Sequence, residues 1–269
     1  MNLDIYTTEM SKSVWDKAFF IDKIPGVKCI IDFGCADGAM IRYLSPLFSD
    51  IMFVGYDISK ELLDRARKTP PFNANIVYFE DAPLSGGVAA LTRYVLNSFK
   101  SEEICINFSS VLHEVFSSTG GDTVIKYLVT RLQPKFITIR DMYCDDPVNF
   151  ATSSSEVVPI LDMIVRNYGT RMIDKFTEYG NKHGTLKDWR DFTQFLMKIQ
   201  WVDNGWEDEM KEDYFSWTLD KLYPIIGAYS PCFEARYQLP YLSEKWKNEY
   251  GWYNPDIHTH AQFILRRDD

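Results

Sequence analysis

The stretch IIDFGCADGAMIRYL, residues 30–44, is an apolar run that ends on Asp32 and passes at once into two glycines, Gly34 and Gly38. An acid followed by glycines, where a strand gives way to a helix, suits a nucleoside-bearing ligand. Glycine lets the ligand approach the backbone, and the helix N-terminus presents N–H groups with no partner inside the helix. The frame separates the ligand classes. A dinucleotide fingerprint requires G-x-G-x-x-G, with its middle glycine against the pyrophosphate. Here that frame reads Gly34, Ala36 and Ala39, so a methyl group stands where the pyrophosphate contact belongs. Nicotinamide-dependent redox chemistry is correspondingly disfavoured.

More polar residues stand where other apolar runs end. VGYDIS places Asp57 and Ile58 after the second run, with Asp57 nineteen residues beyond Gly38. YFEDAP places Glu80, Asp81 and Ala82 after the third, and NFSSVLHEV follows the fourth with Asn107, Ser109, Ser110, His113 and Glu114. His113 has two readings. An imidazole that titrates near neutrality serves as a general base, and equally it serves as a helix-start histidine packed in place. Glu114 either orients His113 or a substrate, or favours the helix N-terminus electrostatically. After the fifth run come Arg140, Asp141 and Tyr143. Arg140 and Tyr143 are candidate substrate contacts, and Arg140 and Asp141 suit a structural ion pair equally well.

The elements that must carry these residues alternate. VKCIIDF, IMFVGYD, ANIVYFED, EEICINFSS and KFITIRDM read as strands, separated by amphipathic segments such as SKELLDRARK, for which Ser59 is the predicted N-cap, and DTVIKYLVTRLQ. Short apolar strands alternating with helices predict an α/β fold, a mostly parallel sheet with helices on both faces. Ligands of such sheets bind beyond the carboxyl ends of the strands.

With its strand and helix placed, IDFGCADGAMIRYL resembles motif I of the class I S-adenosylmethionine-dependent methyltransferases, with Ala36 at the middle glycine position. The resemblance spans roughly residues 14–142 and the final strands. It implies a Rossmann-like methyltransferase fold with a C-terminal antiparallel hairpin, S-adenosylmethionine as cofactor, and methyl transfer as activity. It also implies roles: Asp32, Gly34, Cys35, Ala36 and Gly38 around the methionine end, and Asp57 with Ile58 at the ribose. Glu80, Asp81 and Ala82 fall at the adenine, and Asn107 and Ser109 follow the fourth strand. Because S-adenosylmethionine carries a sulfonium, an ammonium and no phosphate, acids suit it better than a cationic clamp.

The 269 residues carry a net charge of −9, which opposes non-specific binding to nucleic acid. No apolar stretch reaches the ~20 residues that cross a bilayer, and the start lacks a signal-peptide pattern. A cytoplasmic protein without membrane contact is the expectation. Five cysteines with no C-x-x-C spacing suggest neither disulfides nor a metal site, and each reads as a small buried hydrophobe. His258 and His260 in HTH share one strand face and lack a third ligand nearby, so a structural pair is expected.

Domain organisation is read as an N-terminal helix and cofactor-binding core over residues 1–150, a helical aromatic-rich insertion over 151–222, and final strands over 223–269. The insertion is a candidate substrate lid, although aromatics at helical spacing more often build their own core. SKSVWDKAFFIDKI is expected to form one amphipathic helix, with Trp15 packed. The acceptor expected is a small molecule. The alternatives are an RNA met through a local basic rim, and a catalytically silent cofactor-binding partner subunit.

Overall fold

A computed structural model describes residues 2–80, 86–144, 152–184 and 188–268. Helices α1 (Leu3–Ser11) and α2 (Val14–Lys17) precede the sheet. There follow β1 (Cys29–Phe33), α3 (Ala39–Leu44), β2 (Met52–Asp57), α4 (Lys60–Lys68), β3 (Ile76–Glu80) and α5 (Gly87–Ser98). Then come β4 (Ile104–Ser109), α6 (Leu112–Ser117), α7 (Gly121–Leu132) and β5 (Phe136–Met142). The chain continues through α8 (Ser154–Tyr168), α9 (Arg171–His183), α10 (Trp189–Ile199), α11 (Trp206–Glu209) and α12 (Leu219–Ile226). It ends with β6 (Tyr229–Tyr237), α13 (Pro240–Tyr250) and β7 (His260–Arg267).

The seven strands lie in the order β3-β2-β1-β4-β5-β7-β6. β1 pairs in parallel with both β2 and β4, β2 with β3, and β4 with β5. The last two strands form the antiparallel pair, so the mostly parallel α/β sheet with a C-terminal antiparallel pair is as expected. Central strands of a parallel sheet are covered on both faces and therefore read as continuous apolar runs. β1 and β4 are buried along their whole length, whereas β3, at the sheet's edge, is half-buried throughout. Among the described residues no helix is long and apolar enough to cross a membrane.

The chain divides into two compact units. Among the described residues, one holds those of 3–141, 217–235 and 262–268, and the other holds those of 142–216 and 236–261 with Asn2. The segment between β6 and β7 is thus no tight turn. It carries α13 and contributes Leu242, Trp246, Tyr250 and Trp252 to the second unit's core. That core also takes Trp189, Phe192, Phe195, Trp206 and Phe215, so these aromatics pack the unit itself. Within it, Trp189 stacks on Trp252 at 5.4 Å.

Three expectations need correction. Of the segment SKSVWDKAFFIDKI, expected as one helix, only Val14–Lys17 forms a helix of its own, and Ser11 ends the preceding α1. α2 stops at Lys17, beyond which Ala18, Phe20, Ile24 and Val27 enter the core at irregular spacing. Trp15 is not packed but 74% exposed, touching Tyr43 edge-on. Four cysteines are buried, but Cys232 is exposed, because it lies on β6 at the sheet's outer edge. His260 is a structural histidine, its Nδ1 2.9 Å from Thr259 Oγ1 and its ring stacked on Tyr237.

Candidate functional site

The strand order reverses between β1 and β4, and ligands of doubly wound sheets bind at such a switch point. A cleft partly open to solvent lies there. Its walls come from the turn after β1 (Asp32, Gly34, Cys35, Ala36, Asp37), the start of α3 (Ala39, Met40), the end of β4 (Ser109, Ser110) and helix α2 (Val14, Lys17).

Backbone geometry explains the turn. Gly34 has φ +78°, and a Cβ there would lie 2.5 Å from Val111 Cγ2. Gly38 has φ +73°, and its Cβ would meet the Tyr78 hydroxyl at 2.5 Å. Both positions therefore require glycine twice over, for conformation and for space. Ala36 adopts φ +49° between them, so the residue that departs from the glycine pattern keeps the left-handed conformation. Sequence reading missed Gly55 in β2, where a Cβ would lie 2.6 Å from Tyr78 Cδ1 and 2.9 Å from Cys35 Sγ. Its bareness lets the Tyr78 ring lie across β2 against the turn. The Tyr78 hydroxyl has no hydrogen-bond partner, and burial lifts it to about 12.

Asp32 is buried, and its Oδ1 accepts from Asn107 Nδ2 at 2.8 Å, while Asn107 Oδ1 accepts from Thr138 Oγ1 at 2.9 Å. Burial raises the Asp32 carboxyl to about 6, against the opposing pull of the Asn107 hydrogen bond and the Lys17 charge. Asn107 is itself fully buried and holds Asp32 from below rather than lining the cleft. Ser109 does line it, with a buried hydroxyl that has no hydrogen-bond partner. Asp37 is bridged to Arg42 at 3.0 Å.

At the end of β2, Asp57 ties two turns together. Its Oδ2 accepts the Ala36 N–H and its Oδ1 the Ser59 N–H, each at 2.8 Å. Burial raises this carboxyl too, against those backbone hydrogen bonds. Ser59 caps α4 through Leu62 N–H, as predicted. Ile58 is 64% exposed beside Asp57. Glu80 pairs in register with Asp57 across the β2–β3 ladder and takes an ion pair from Arg67 at 3.0 Å. Asp81 and Ala82 lie outside the described residues.

Past β4 the structure builds a dyad. His113 Nδ1 lies 2.7 Å from Asp141 Oδ1, and both side chains are buried. Asp141 Oδ2 accepts the N–H groups of Val111 (3.0 Å), Leu112 (2.6 Å) and His113 (3.3 Å). A carboxylate placed there satisfies the unpaired donors at the start of α6. Glu114 is exposed, with Oε1 4.0 Å from His113 Nε2. Arg140 is buried and committed to Asp16 Oδ2 and Ser110 Oγ, the structural pairing, although with Asp16 rather than Asp141. Tyr143 belongs to the other unit, buried under the Arg236 guanidinium.

Of the predicted residues, Asp32, Gly34, Cys35, Ala36 and Ser109 come together in the cleft wall. Asn107 and Asp57 attach to that wall by hydrogen bonds. Lys17 and Tyr78 were not anticipated. Only the glycine pattern hinted that something bulky must press on the turn.

No protein-family model matches the chain, and no curated protein does. Solved structures do match. The plantazolicin methyltransferase BamL, in complex with a triazolic desmethylPZN analog and SAH, is 13% identical, with 99% of this chain and 88% of that one covered at a TM-score of 0.50. TnmH is 9% identical, with 98% of this chain and 57% of that one covered at a TM-score of 0.51. An S-adenosylmethionine-dependent methyltransferase from Mesorhizobium loti is 13% identical over 95% of this chain and 97% of that one, with a TM-score of 0.49. The fold is that of the class I methyltransferases.

Proposed function

We propose that the chain is an S-adenosylmethionine-dependent methyltransferase acting on a small-molecule acceptor. The observation that carries this reading is the acidic cleft at the switch point, where buried Asp32 stands beside a glycine turn and Asp57 ends the neighbouring strand. Such a wall repels phosphate and favours a ligand with an ammonium, hydroxyl donors and no phosphate. S-adenosylmethionine is such a ligand. The BamL structure, of the same fold, holds SAH.

The residues present fit it. A carboxyl lifted by burial gains from facing a cation, so Asp32 suits the ammonium. The orphaned Ser109 hydroxyl is a buried polar atom that the methionine end would satisfy. The backbone of Gly34, Cys35, Ala36 and Gly38 runs alongside, with Asn107 steadying Asp32. Asp57 keeps lone pairs for the ribose diol beyond its two backbone hydrogen bonds, and exposed Ile58 offers an apolar surface to the base. Glu80, which ends β3 in register with Asp57, serves the adenine edge.

The bound cofactor supplies an electrophilic methyl group. The chain's part is to place the acceptor and manage its proton. With Nδ1–H donated to Asp141, the His113 ring presents a basic Nε2, which takes the proton of an O–H or N–H acceptor. Asp141 fixes that tautomer and stabilises the imidazolium that forms. Glu114 flanks Nε2 and adds negative potential there. The small-molecule acceptor is supported by the net charge of −9, which works against a polyanionic substrate.

Calorimetric titration with S-adenosylhomocysteine, with NADH as control, tests the reading. Micromolar binding of the first and none of the second is expected. Binding of NADH alone, or of neither, overturns it.

A further inference from the structure

Lys17 is a cation inside an otherwise acidic cleft. It closes α2 and lines the cleft with Val14, opposite Asp32 and Asp37. Among the described residues its ammonium makes no hydrogen bond or ion pair. The other cations of this region have acidic partners: Arg42 is paired with Asp37, and Arg140 donates through Nε to Asp16 and through Nη1 to Ser110. Lys17 is also held where it is. The preceding residue, Asp16, is gripped from two strands, by Arg140 of β5 at 2.5 Å and by Gln262 of β7 at 2.8 Å, and Gln262 donates to the Asp16 carbonyl as well. A clamp on Asp16 fixes the direction in which the next side chain leaves the helix.

The charge state agrees with this placement. Burial and the nearby Arg140 guanidinium lower Lys17 to about 8, while Asp32, Asp141 and Asp37 work to keep it protonated. A half-buried ammonium without a partner is unfavourable by itself, and an anionic group arriving in the cleft would relieve it.

We propose that Lys17 receives the α-carboxylate of the cofactor's amino-acid end, so that the cleft selects ligands in which ammonium and carboxylate are both present. The inference rests on the S-adenosylmethionine reading and adds to it the residue that reads the carboxylate. Asp32 takes the ammonium and Lys17 the carboxylate, two opposite charges on the wall of one cleft. The contact is a charge-assisted hydrogen bond in a partly desolvated cleft, and the Asp16 clamp makes Lys17 ready for it before the ligand arrives.

The test compares two probes on the full-length chain, S-adenosylhomocysteine and its decarboxylated analogue, which keeps the ammonium and lacks only the carboxylate. Wild type is expected to prefer S-adenosylhomocysteine, on the order of 30-fold. Lys17→Met should lose that preference by binding S-adenosylhomocysteine about 30-fold more weakly, with the analogue held within twofold, and Lys17→Arg should restore most of it. Thermal melting of each variant shows whether it is folded. If a folded Lys17→Met binds S-adenosylhomocysteine as tightly as wild type, or loses both probes equally, the carboxylate role is overturned while the cofactor reading stands. If wild type binds neither probe, the cofactor reading falls and this inference with it.

Discussion

Asp141 holds His113 at two points, with Oδ1 2.7 Å from the ring Nδ1 and Oδ2 3.3 Å from the backbone nitrogen. The first contact selects the Nδ1–H tautomer and the second fixes the helix turn that carries the ring. Nitrogen NMR of the labelled protein should therefore show Nδ1 as the protonated nitrogen of the neutral ring. Asp141→Ala should abolish that signature and destabilise the fold by about 2–4 kcal/mol, because it strands the α6 donors and a buried ring nitrogen together. Equal population of the two tautomers in wild type would remove the basis for a base at His113.

The turn offers a stability test of opposite signs. Ala36 occupies φ +49°, a region that costs an L-residue roughly 1–2 kcal/mol, partly offset by glycine's greater freedom in the unfolded chain. Ala36→Gly should thus stabilise the protein by about 0.5–1 kcal/mol in a denaturant titration. Gly34→Ala combines the same conformational penalty with a contact at 2.5 Å to Val111, and should cost about 2–4 kcal/mol. Equal effects of the two substitutions would mean the turn adjusts freely.

Most of the sheet was legible because its signals are local. Asp32, Asp57 and Glu80 could be placed at strand ends from the apolar runs before them, and Ser59 could be named as a cap from the helix after it. What escaped was carried by contacts distant in sequence. Lys17 meets the turn after β1 only once α2 is clamped by Arg140 and Gln262, residues 123 and 245 positions away. Gly55 sits unremarkably inside a strand until Tyr78 from β3 is laid over it. Trp15 was misplaced for a related reason: hydrophobicity suggested burial, but α2 turns Val14 and Lys17 to the cleft and leaves the indole outside. The aromatic segment read as a candidate lid contributes most of its rings to its own unit's core, a distinction that spacing alone does not make.

Asn107 links the sheet to the acid of the cleft, donating to Asp32 and accepting from Thr138. Asn107→Ala should cost about 1–3 kcal/mol, since it leaves a buried carboxyl and a buried hydroxyl short of partners. It should also push the Asp32 carboxyl above its present value near 6, because the lost hydrogen bond favours the ionised form. A pH titration followed by carboxyl NMR reads the shift directly. An unmoved Asp32 would mean that another group takes over the donor role.

Cofactor affinity should pass through a maximum with pH. Asp32 in the free protein titrates near 6 and Lys17 near 8. Facing an ammonium, Asp32 is stabilised in its ionised form, so its pKa falls on binding and affinity rises with pH through about 6. Facing a carboxylate, Lys17 is stabilised as the ammonium, so its pKa rises on binding and affinity falls as pH climbs through about 8. Asp37, Asp141 and Arg140 also act on Lys17; Asp37 is paired with Arg42, Arg140 with Asp16, and Asp141 accepts the N–H groups that open α6. Titrations of S-adenosylhomocysteine from pH 5 to 9.5 should give the strongest binding between roughly 6 and 8. Proton uptake on binding at high pH should be visible in two buffers of different ionisation enthalpy. Lys17→Met should flatten the limb near pH 8 and move the acid limb to higher pH, because the Lys17 charge no longer lowers Asp32, whereas a limb near pH 8 that persists without Lys17 would assign the titration to another group.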